Sequence, residues 1–394
     1  MAERIFRLPG IQELNKEQER ARALPKEGQY LVVGGPGTGK SVLALLRARR
    51  HAKAGDPHVF LVYNRLLHEA SCCLGGQEIC CFQWMTWFFK TFEKITTRKI
   101  PRLAPVAGSS WREIDWEKVH QILLETPDTT LPKSDFLIID EGQDMPPDFY
   151  QALVNMGYMN FFVAADQNQQ IVSGKNSSRR DIEVYLDIDT REVVELKQNF
   201  RNTEAIARLV QNFYTGDAAV PRVEPAPECG QQPQDTPLMF TFRHDQFYRV
   251  IRRILLMADR TPSTLIGIIT PNNQVRQIYV DTLKTVSHQI RLDNGQPYLR
   301  TFFKGSENKM NFHQGGIMVI NAQSCKGLEF DRVFLADINR HPSLLGEDKT
   351  HLKRLFYVMT ARARQSLILL RREGMNSAAN AILPTDTDIL KYYP

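Results

Sequence analysis

Short apolar runs that stop abruptly at glycine or acidic residues recur along the first half of the chain. Four of them cover residues 30–33, 59–63, 136–139 and 160–165. Runs of this length with so few polar residues are typical of strands that are buried on both faces of a parallel sheet. A pattern of helical period over residues 42–52 follows the first run without a breaker. The alternation of strand and helix therefore predicts an α/β fold in this half.

The second half of the chain repeats this alternation. Predicted strands cover residues 265–269, 317–320, 332–336 and 366–370, and predicted helices cover 274–285 and 353–362. We therefore expect two α/β lobes with parallel sheets, the first over residues 1–195 and the second over 196–394. Residues 91–134 are punctuated by prolines and carry one helical piece, over 111–124. We predict that they form a small insertion in the first lobe.

Composition and charge exclude several classes of protein. The 394 residues are 42% hydrophobic and 24% charged, which is ordinary for a globular chain. No stretch approaches the roughly 18 apolar residues of a membrane span, and residues 1–10 lack the apolar core of a secretory signal. The six cysteines are too few for a disulfide scaffold, and the pairs at 72–73 and 80–81 lack the spacing of a zinc site. These features predict a cytoplasmic protein, and the net charge of +6 permits a nucleic-acid or nucleotide partner.

A glycine-rich loop lies between the first predicted strand and its helix. Gly34, Gly39, Lys40 and Ser41 match the phosphate-binding pattern G-x-x-x-x-G-K-S. The glycines let backbone N–H groups turn towards phosphate oxygens, while Lys40 supplies charge for the β- and γ-phosphates and the Ser41 hydroxyl can ligate Mg²⁺. The residues predicted to hold the phosphates are Gly35, Pro36, Gly37, Thr38, Gly39, Lys40 and Ser41. A plain glycine-rich turn is the alternative, and the strand–loop–helix context argues against it.

Two carboxylates directly follow the apolar run at 136–139. Asp140 stands where a carboxylate at a strand end can hold Mg²⁺, and Glu141 can act as the base for an attacking water. The alternative is that one of them caps the next helix. The phosphate-binding loop upstream favours the catalytic interpretation, so that ATP and Mg²⁺ are the predicted ligands.

Taken together, these segments resemble the superfamily 1 helicases of the UvrD/Rep type, and the resemblance extends over nearly the whole chain. Residues 140–144 read Asp-Glu-Gly-Gln-Asp, which is similar to this family's form of the second nucleotide motif. Five further segments resemble family motifs in the family's order, at residues 14–18, 165–171, 196–203, 320–330 and 355–364. The resemblance implies two RecA-like P-loop NTPase lobes with the nucleotide between them.

The same resemblance places three residues around the nucleoside. Gln18 would read the adenine edge, Phe200 would stack on the base and Glu329 would lie near the ribose. Gln18 alone would be interpreted as a surface glutamine. The joint order of the motifs along the chain favours the nucleotide-binding roles.

Three more residues are placed at the phosphates by the resemblance. Gln169 would sense the γ-phosphate, and Arg201 and Arg362 would reach it from the second lobe as arginine fingers. The segment 355–364 departs from the family, because it reads Thr-Ala-Arg where the family has Thr-Arg. The spacing from Tyr357 favours Arg362 as the finger, with Arg364 as the fallback.

Segments that resemble two further motifs, together with the segment 320–330, supply the candidate contacts to nucleic acid. These candidates are Asn64, Arg65, Gln83, Trp84 and Gln323. The family has a tryptophan a few residues after the glutamine at position 169, where it serves as a stacking platform, and this chain has Gly174 there. Trp84, Trp87 and Phe88 could compensate for this loss, or these aromatic side chains could equally belong to the core.

Three functional hypotheses follow. The first is an ATPase that is stimulated by single-stranded nucleic acid, DNA more readily than RNA, and translocates on it with the 3′ to 5′ polarity that the resemblance implies. Because the large helical insertions of the family are missing, we expect weak unwinding by the chain alone. The second is an ATP-dependent regulatory module that switches or recruits a protein partner such as a nuclease, for example in genome defence. The third, a phosphoryl-transfer enzyme such as a nucleotide kinase, leaves the last three motifs unexplained.

Overall fold

The computed structural model describes residues 13–63, 79–105, 112–127, 135–169, 176–216, 223–225, 235–302, 314–341, 349–375 and 377–393. This part of the chain forms two large parallel sheets with helices against their faces, so the predicted α/β fold is confirmed. None of its helices is long and apolar enough to cross a membrane. The candidate contacts Asn64 and Arg65, and also Gly174, lie outside the described residues.

In the described part of the chain, the first sheet has six parallel strands in the order β3-β2-β4-β5-β1-β6. They are β1 (Gln29–Gly34), β2 (His58–Val62), β3 (Cys81–Gln83), β4 (Phe136–Ile139), β5 (Asn160–Ala165) and β6 (Val193–Leu196). Because the strands are parallel, their carboxyl ends share one edge of the sheet. The predicted nucleotide motifs follow β1, β4 and β5, which are neighbours at the centre of the sheet, so the topology brings these motifs together.

Helices cover both faces of this sheet. They are α1 (Lys16–Ala23), α2 (Lys40–Ala54), α3 (Trp84–Thr96), α4 (Trp116–Leu124), α5 (Pro147–Asn155) and α6 (Arg179–Tyr185). In β1, Val32 packs into a core cluster with α1 and α2, while Leu31 and Val33 pack into a second cluster with α3 to α6. This burial on both sides explains why the strands are continuous apolar runs.

The predicted insertion at 91–134 does not begin at residue 91, because α3 continues through this position to Thr96. Phe92 and Ile95 are buried in the same core cluster as Trp87 and Phe88. Apolar residues at helical spacing therefore extend the helix to the point where the prolines begin. The helical piece predicted at 111–124 begins at Trp116, where the Asp115 side chain accepts a hydrogen bond from the Lys118 N–H.

The second sheet, as far as the structure describes it, has seven parallel strands in the order β11-β12-β10-β13-β14-β9-β15. In the chain it is preceded by a short pair, β7 (Gln198–Asn199) and β8 (Glu224–Pro225). The seven are β9 (Leu238–Phe242), β10 (Leu265–Thr270), β11 (Leu299–Thr301), β12 (Gly316–Asn321), β13 (Phe330–Leu335), β14 (Ala363–Arg372) and β15 (Lys391–Tyr393). Since β6 still belongs to the first sheet and ends at Leu196, the second sheet begins well beyond it. The lobe boundary between residues 195 and 196 stays a prediction.

Within the described residues, four helices cover the faces of the second sheet. They are α7 (Glu204–Asn212), α8 (Phe247–Arg260), α9 (Asn273–Gln289) and α10 (Lys349–Thr360). Core residues of α7 and α10 pack with Met318 and Ile320 of β12, whereas those of α8 and α9 pack with Ile317 and Val319 of the same strand. The two pairs of helices therefore lie on opposite faces of the sheet.

Candidate nucleotide site

The phosphate-binding loop turns between β1 and α2 with two glycines in the left-handed region. Gly37 has φ 72° and Gly39 has φ 91°, a conformation that side-chain-bearing residues rarely adopt. A Cβ atom on Gly37 would lie 2.1 Å from Asn199 Oδ1, so space as well as conformation requires glycine there. The Thr38 hydroxyl donates to the Gly35 carbonyl at 2.9 Å and closes the turn.

The Lys40 ammonium is held inside this loop. It donates to the Gly35 carbonyl at 2.7 Å and lies 3.7 Å from Asp166 Oδ2, which follows β5. Burial lowers the pKa of Lys40, although the Asp166 carboxylate acts in the opposite direction. The ammonium therefore stands at the loop with partners that phosphate oxygens could replace.

Asp140 and Ser41 provide oxygens suited to a divalent cation. Asp140 Oδ1 accepts the Glu141 N–H at 3.0 Å, and the Ser41 hydroxyl hydrogen-bonds to the Asp140 side chain. Asp140 Oδ2 is buried and has no hydrogen-bond donor among the residues that the structure describes. Burial, together with the charge of Glu141, raises the pKa of Asp140 to about 7. A cation would supply the missing partner, and hard oxygen ligands of this kind fit Mg²⁺.

Glu141 is a buried carboxylate in a strained backbone conformation. Its φ of 55° is unusual for a residue other than glycine. The Gln143 amide donates to Glu141 Oε2 at 2.6 Å, and the ammonium of Lys326 lies 3.7 Å from the same oxygen. Burial alone would raise the pKa of Glu141, but the charges of Lys326, Lys40 and Arg362 hold it below its usual range. The carboxylate is thus kept ionised, as a base requires.

Gln169 connects the two halves of the chain. Its Nε2 donates to Asp166 Oδ2 at 2.6 Å, and its Oε1 accepts from the Arg362 guanidinium at 3.1 Å. Arg362 is only 1% exposed and also donates to the Val358 carbonyl at 2.9 Å. Arg364, the fallback for this position, is exposed. The structure therefore brings Arg362 to the site.

Lys326 is a site residue that the sequence did not single out. Its ammonium donates to Asp144 Oδ1 at 2.7 Å and to the Gln169 carbonyl at 2.8 Å, so it reaches from the second sheet to the first. Burial disfavours the charge, yet the carboxylates of Asp144 and Glu141 raise the pKa of Lys326. The only signal in the sequence was its place in the segment 320–330, where Lys-Gly alone reads as a turn.

Arg201 and Glu329 form an ion pair beside the phosphate-binding loop. The Arg201 Nε and Nη2 donate to Glu329 Oε1 at 2.9 and 2.6 Å. The N–H of Phe200, which is half-buried, donates to the Gly37 carbonyl at 2.9 Å, and this contact places the segment on the loop. The guanidinium of Arg201 thus lies beside the phosphate-binding loop, and its partner here is a carboxylate.

Gln18 lies against the same loop, and both the nitrogen and the oxygen of its side-chain amide form hydrogen bonds. Gln18 Nε2 donates to the Thr38 carbonyl at 2.9 Å, and Oε1 accepts the Asn15 N–H at 3.0 Å. Asn15 Oδ1 in turn accepts the Gln18 N–H at 2.8 Å, which caps α1. Reading an adenine edge would require Gln18 to release at least one of these bonds.

The candidate contacts to nucleic acid differ in how far their side chains are exposed to solvent. Trp84 is 5% exposed and packs edge-to-face against Phe149 with ring centroids 5.0 Å apart, so it belongs to the core and does not offer a free stacking face. Gln83 is half-buried, caps α3 and donates to the Tyr63 carbonyl at 3.4 Å. Gln323 is exposed directly after β12, at the carboxyl edge of the second sheet.

Comparison with known proteins bears on the second half of the chain. Residues 273–373 match the family model of the UvrD-like helicase C-terminal domain. No curated protein matches the sequence. A matching solved structure is the C-terminal domain of a possible DNA helicase from Lactobacillus plantarum WCFS1, with 18% identity, coverage of 49% of this chain and 98% of that one, and a TM-score of 0.34. The family match, which spans β12, β13, α10 and β14, thus confirms the predicted resemblance to UvrD-like helicases over residues 273–373.

Proposed function

We propose that this chain is an ATPase of the helicase type that hydrolyses ATP between its two sheets when single-stranded nucleic acid is bound. The observation that carries the proposal is the convergence of Lys326 and Arg362, from the second half, on Glu141 and Gln169, from the first. Hydrolysis gains most from positive charge that is added at the γ-phosphate in the transition state. A site that draws its cations from both halves makes hydrolysis depend on how the halves are placed.

Each residue of the loop and the strand ends has a role in this proposal. The backbone of Gly37 to Ser41 and the Lys40 ammonium bind the phosphates. Mg²⁺, held by Ser41 and Asp140, neutralises charge on the phosphate oxygens when it is bound. Glu141 orients the attacking water and accepts its proton, and its lowered pKa keeps the carboxylate in the ionised form that this role requires.

The cations of the second half are each bound to protein groups in this conformation. Arg201 is paired with Glu329, Lys326 with Asp144, and Arg362 is hydrogen-bonded to Gln169. A triphosphate in the loop would compete for these cations and change the contacts between the two halves. Alternation of the two sets of contacts during turnover is the proposed source of movement along a strand. The 3′ to 5′ polarity and the preference for DNA rest on the family resemblance.

A regulatory module is the alternative, and the burial of Trp84 favours it. Base stacking contributes roughly 1–3 kcal/mol per base to single-strand binding, and Trp84 offers no free face for it. In this alternative, ATP closes the two halves to switch or recruit a protein partner such as a nuclease. Nucleic acid would then regulate the ATPase by binding, and the protein would not translocate along it.

Steady-state ATPase rates with oligo-dT of increasing length separate the two candidates. Translocation predicts that turnover rises with strand length towards a plateau, because longer strands permit more steps before dissociation. A switch predicts saturation at one short length. Parallel series with RNA and without nucleic acid complete the design, and Lys40→Ala is the control for contaminating ATPase. A rate that no strand stimulates would contradict the proposed function.

A further inference from the structure

Helix α8 carries four arginines on its solvent side, at positions 249, 252, 253 and 260, and we call this surface the arginine face. We propose that the arginine face binds the phosphate backbone of a nucleic-acid duplex. The inference rests on the proposed function, because it assigns the duplex that adjoins a bound single strand to a surface of this chain. Spacings of three, four and seven residues place all four side chains on one side of the helix.

The arginine face is separate from the nucleotide site. Ile251, Ile254 and Leu255 of α8 are buried with α9 against one face of the second sheet, and α10 covers the other face. Residues next to Lys326 and Arg362 in sequence pack on the α10 side. Charge on the solvent side of α8 therefore has no part in binding the triphosphate.

The helix nevertheless begins at the edge of the sheet where the single strand is expected. Strand β9 ends at Phe242 and α8 begins at Phe247, so the amino end of the helix lies at the carboxyl edge of the parallel sheet. Gln323, the exposed candidate contact, follows β12 at the same edge. From this edge the arginine face runs along the outer surface over about 16 Å, at 1.5 Å per residue.

Ion pairs within the described residues do not neutralise the charge of this face, although the charge of Arg249 adds to the hydrogen bond from Arg243 in lowering the pKa of Asp245. At the sheet edge, Arg243 pairs with Asp245 at 3.2 Å and Arg372 pairs with Asp337 at 2.7 Å. None of the four arginines on α8 forms an ion pair with a residue in the described part of the chain. Exposed guanidinium groups without acidic partners are typical of surfaces that bind phosphate.

The chemistry of the arginine face favours the backbone of a duplex over a single strand or an anionic lipid surface. A single-strand site combines charge with rows of aromatic platforms, and Tyr248 is the only exposed aromatic side chain of α8. The apolar side of α8 is buried in the core, so the helix has no surface left to insert into a lipid interface. A DNA duplex carries one charge per roughly 1.7 Å of its axis, or about nine along the length of the face.

The test is the salt dependence of duplex binding by the full chain. We compare the double variant Arg249→Gln/Arg252→Gln with wild type, using fluorescence anisotropy on a blunt DNA duplex and on oligo-dT. Arg253 is left in place because its guanidinium lies 5.8 Å from the Phe240 ring centroid and has a packing role. For the duplex, the slope of log K against log salt should become shallower by about 1.8, since each lost phosphate contact removes about 0.9. Binding of oligo-dT should keep its slope.

Two further variants control for folding and for net charge. Arg249→Lys/Arg252→Lys keeps the charge and should restore most of the slope, which a folding defect at these positions would not allow. Arg50→Gln/Lys53→Gln removes the same charge from exposed positions on α2, in the first half, and should leave the duplex slope unchanged.

Three results would overturn the proposal. They are a wild-type protein that does not bind duplex, an unchanged slope in Arg249→Gln/Arg252→Gln, and an equal change in the α2 control or on oligo-dT. The outcome is distinguishable from a failure of the proposed function, which would appear as an ATPase that no strand stimulates. Duplex binding is measured without ATP turnover, so the slope can be read in either case.

Discussion

At the scale of single residues, this site consists of buried charged side chains, each of which is stabilised by a neighbouring group of opposite charge. Lys40 and Glu141 are both less than a tenth exposed, and each has a charged group of opposite sign within 3.7 Å: Asp166 for Lys40 and Lys326 for Glu141. A buried charge without a partner is strongly disfavoured. Substitutions at these positions therefore change the charge balance of the whole site, and their effects on binding and on turnover must be measured separately.

We predict that Lys40→Ala abolishes ATP hydrolysis, whereas Glu141→Gln retains ATP binding and stops turnover. The lysine supplies charge to the phosphates in the ground state and the transition state, while the carboxylate is needed only when the water loses its proton. Phosphate release and binding of a fluorescent nucleotide measure the two effects. Glu93→Gln, on the exposed side of α3, is the matched control. Turnover at the wild-type rate in Glu141→Gln would show that the base has been assigned wrongly.

Arg201 is expected to act on the rate more than on affinity. Arg201→Ala should lower the turnover rate by at least about 10³, the lower end for an arginine finger, with little change in nucleotide affinity. In the structure its guanidinium is paired with Glu329, so it must transfer to the phosphate during the cycle. Single-turnover kinetics measure the effect, with Arg208→Ala on the exposed side of α7 as control. A loss confined to affinity would rule out the finger role.

Among the elements, α2 combines the phosphate-binding loop at its start with a buried histidine near its end. His51 is fully buried, its Nδ1 lies 3.0 Å from Asp56 Oδ2, and its ring stacks on Phe136 with centroids 4.1 Å apart. Burial lowers the pKa of His51 to about 4, against the opposing effect of Asp56. The anchoring of α2 on the sheet thus depends on a neutral imidazole.

The contribution of His51 to the stability of the fold should consequently rise with pH between about 4 and 6.5, whereas the raised pKa of Asp140 contributes in the opposite direction in this window. In the unfolded chain His51 binds a proton below its ordinary pKa of about 6.5, whereas in the folded chain it does so only below about 4. Through His51, falling pH therefore favours the unfolded state in this window, by roughly 3 kcal/mol in total. Denaturant unfolding at several pH values measures the slope, which should be smaller in His51→Gln and unchanged in the exposed control His288→Gln. Equal slopes in wild type and His51→Gln would contradict the assignment.

Polar contacts join the two parallel sheets of the molecule. Besides the contacts of Lys326 and Arg362, Asn168 Oδ1 accepts the Thr215 hydroxyl across the two halves at 2.5 Å. Such contacts link nucleotide to the placement of the sheets, but they do not by themselves separate base pairs. Unwinding needs a surface that holds the displaced or the tracked strand during each step.

We expect the isolated chain to hydrolyse ATP and yet to unwind a long duplex poorly. Trp84 is buried, and a glycine stands at position 174 where the family has a stacking tryptophan. Each missing platform removes roughly 1–3 kcal/mol of strand binding, which is comparable with about 1.4 kcal/mol for a base-pair step. Strand displacement on a duplex with a 3′ tail measures this, with Lys40→Ala as the inactive control. Robust, processive unwinding would refute the expectation.

The central strands of both sheets could be predicted from the sequence alone. Strands β1, β4, β5, β10 and β12 are covered on both faces, so burial makes their sequences continuous apolar runs with polar residues at the ends. Four of the strands that the pattern missed, β3, β6, β11 and β15, lie at the edges of the sheets. Edge strands have a neighbour on one side only and are short, which leaves too weak a hydrophobic signal to separate them from loops.

The phosphate-binding loop was likewise determined by its local sequence, because Gly37 and Gly39 adopt conformations that depend on the absence of a side chain. The cross-sheet contacts were decided only by the tertiary structure. Lys326 and Asp144 are 182 residues apart, and Arg201 and Glu329 are 128 apart. The burial of Trp84 also depends on the helix that packs against it. A local pattern records which groups a residue carries, but the partner and the solvent exposure of a charge or a ring are set by the packing of distant segments.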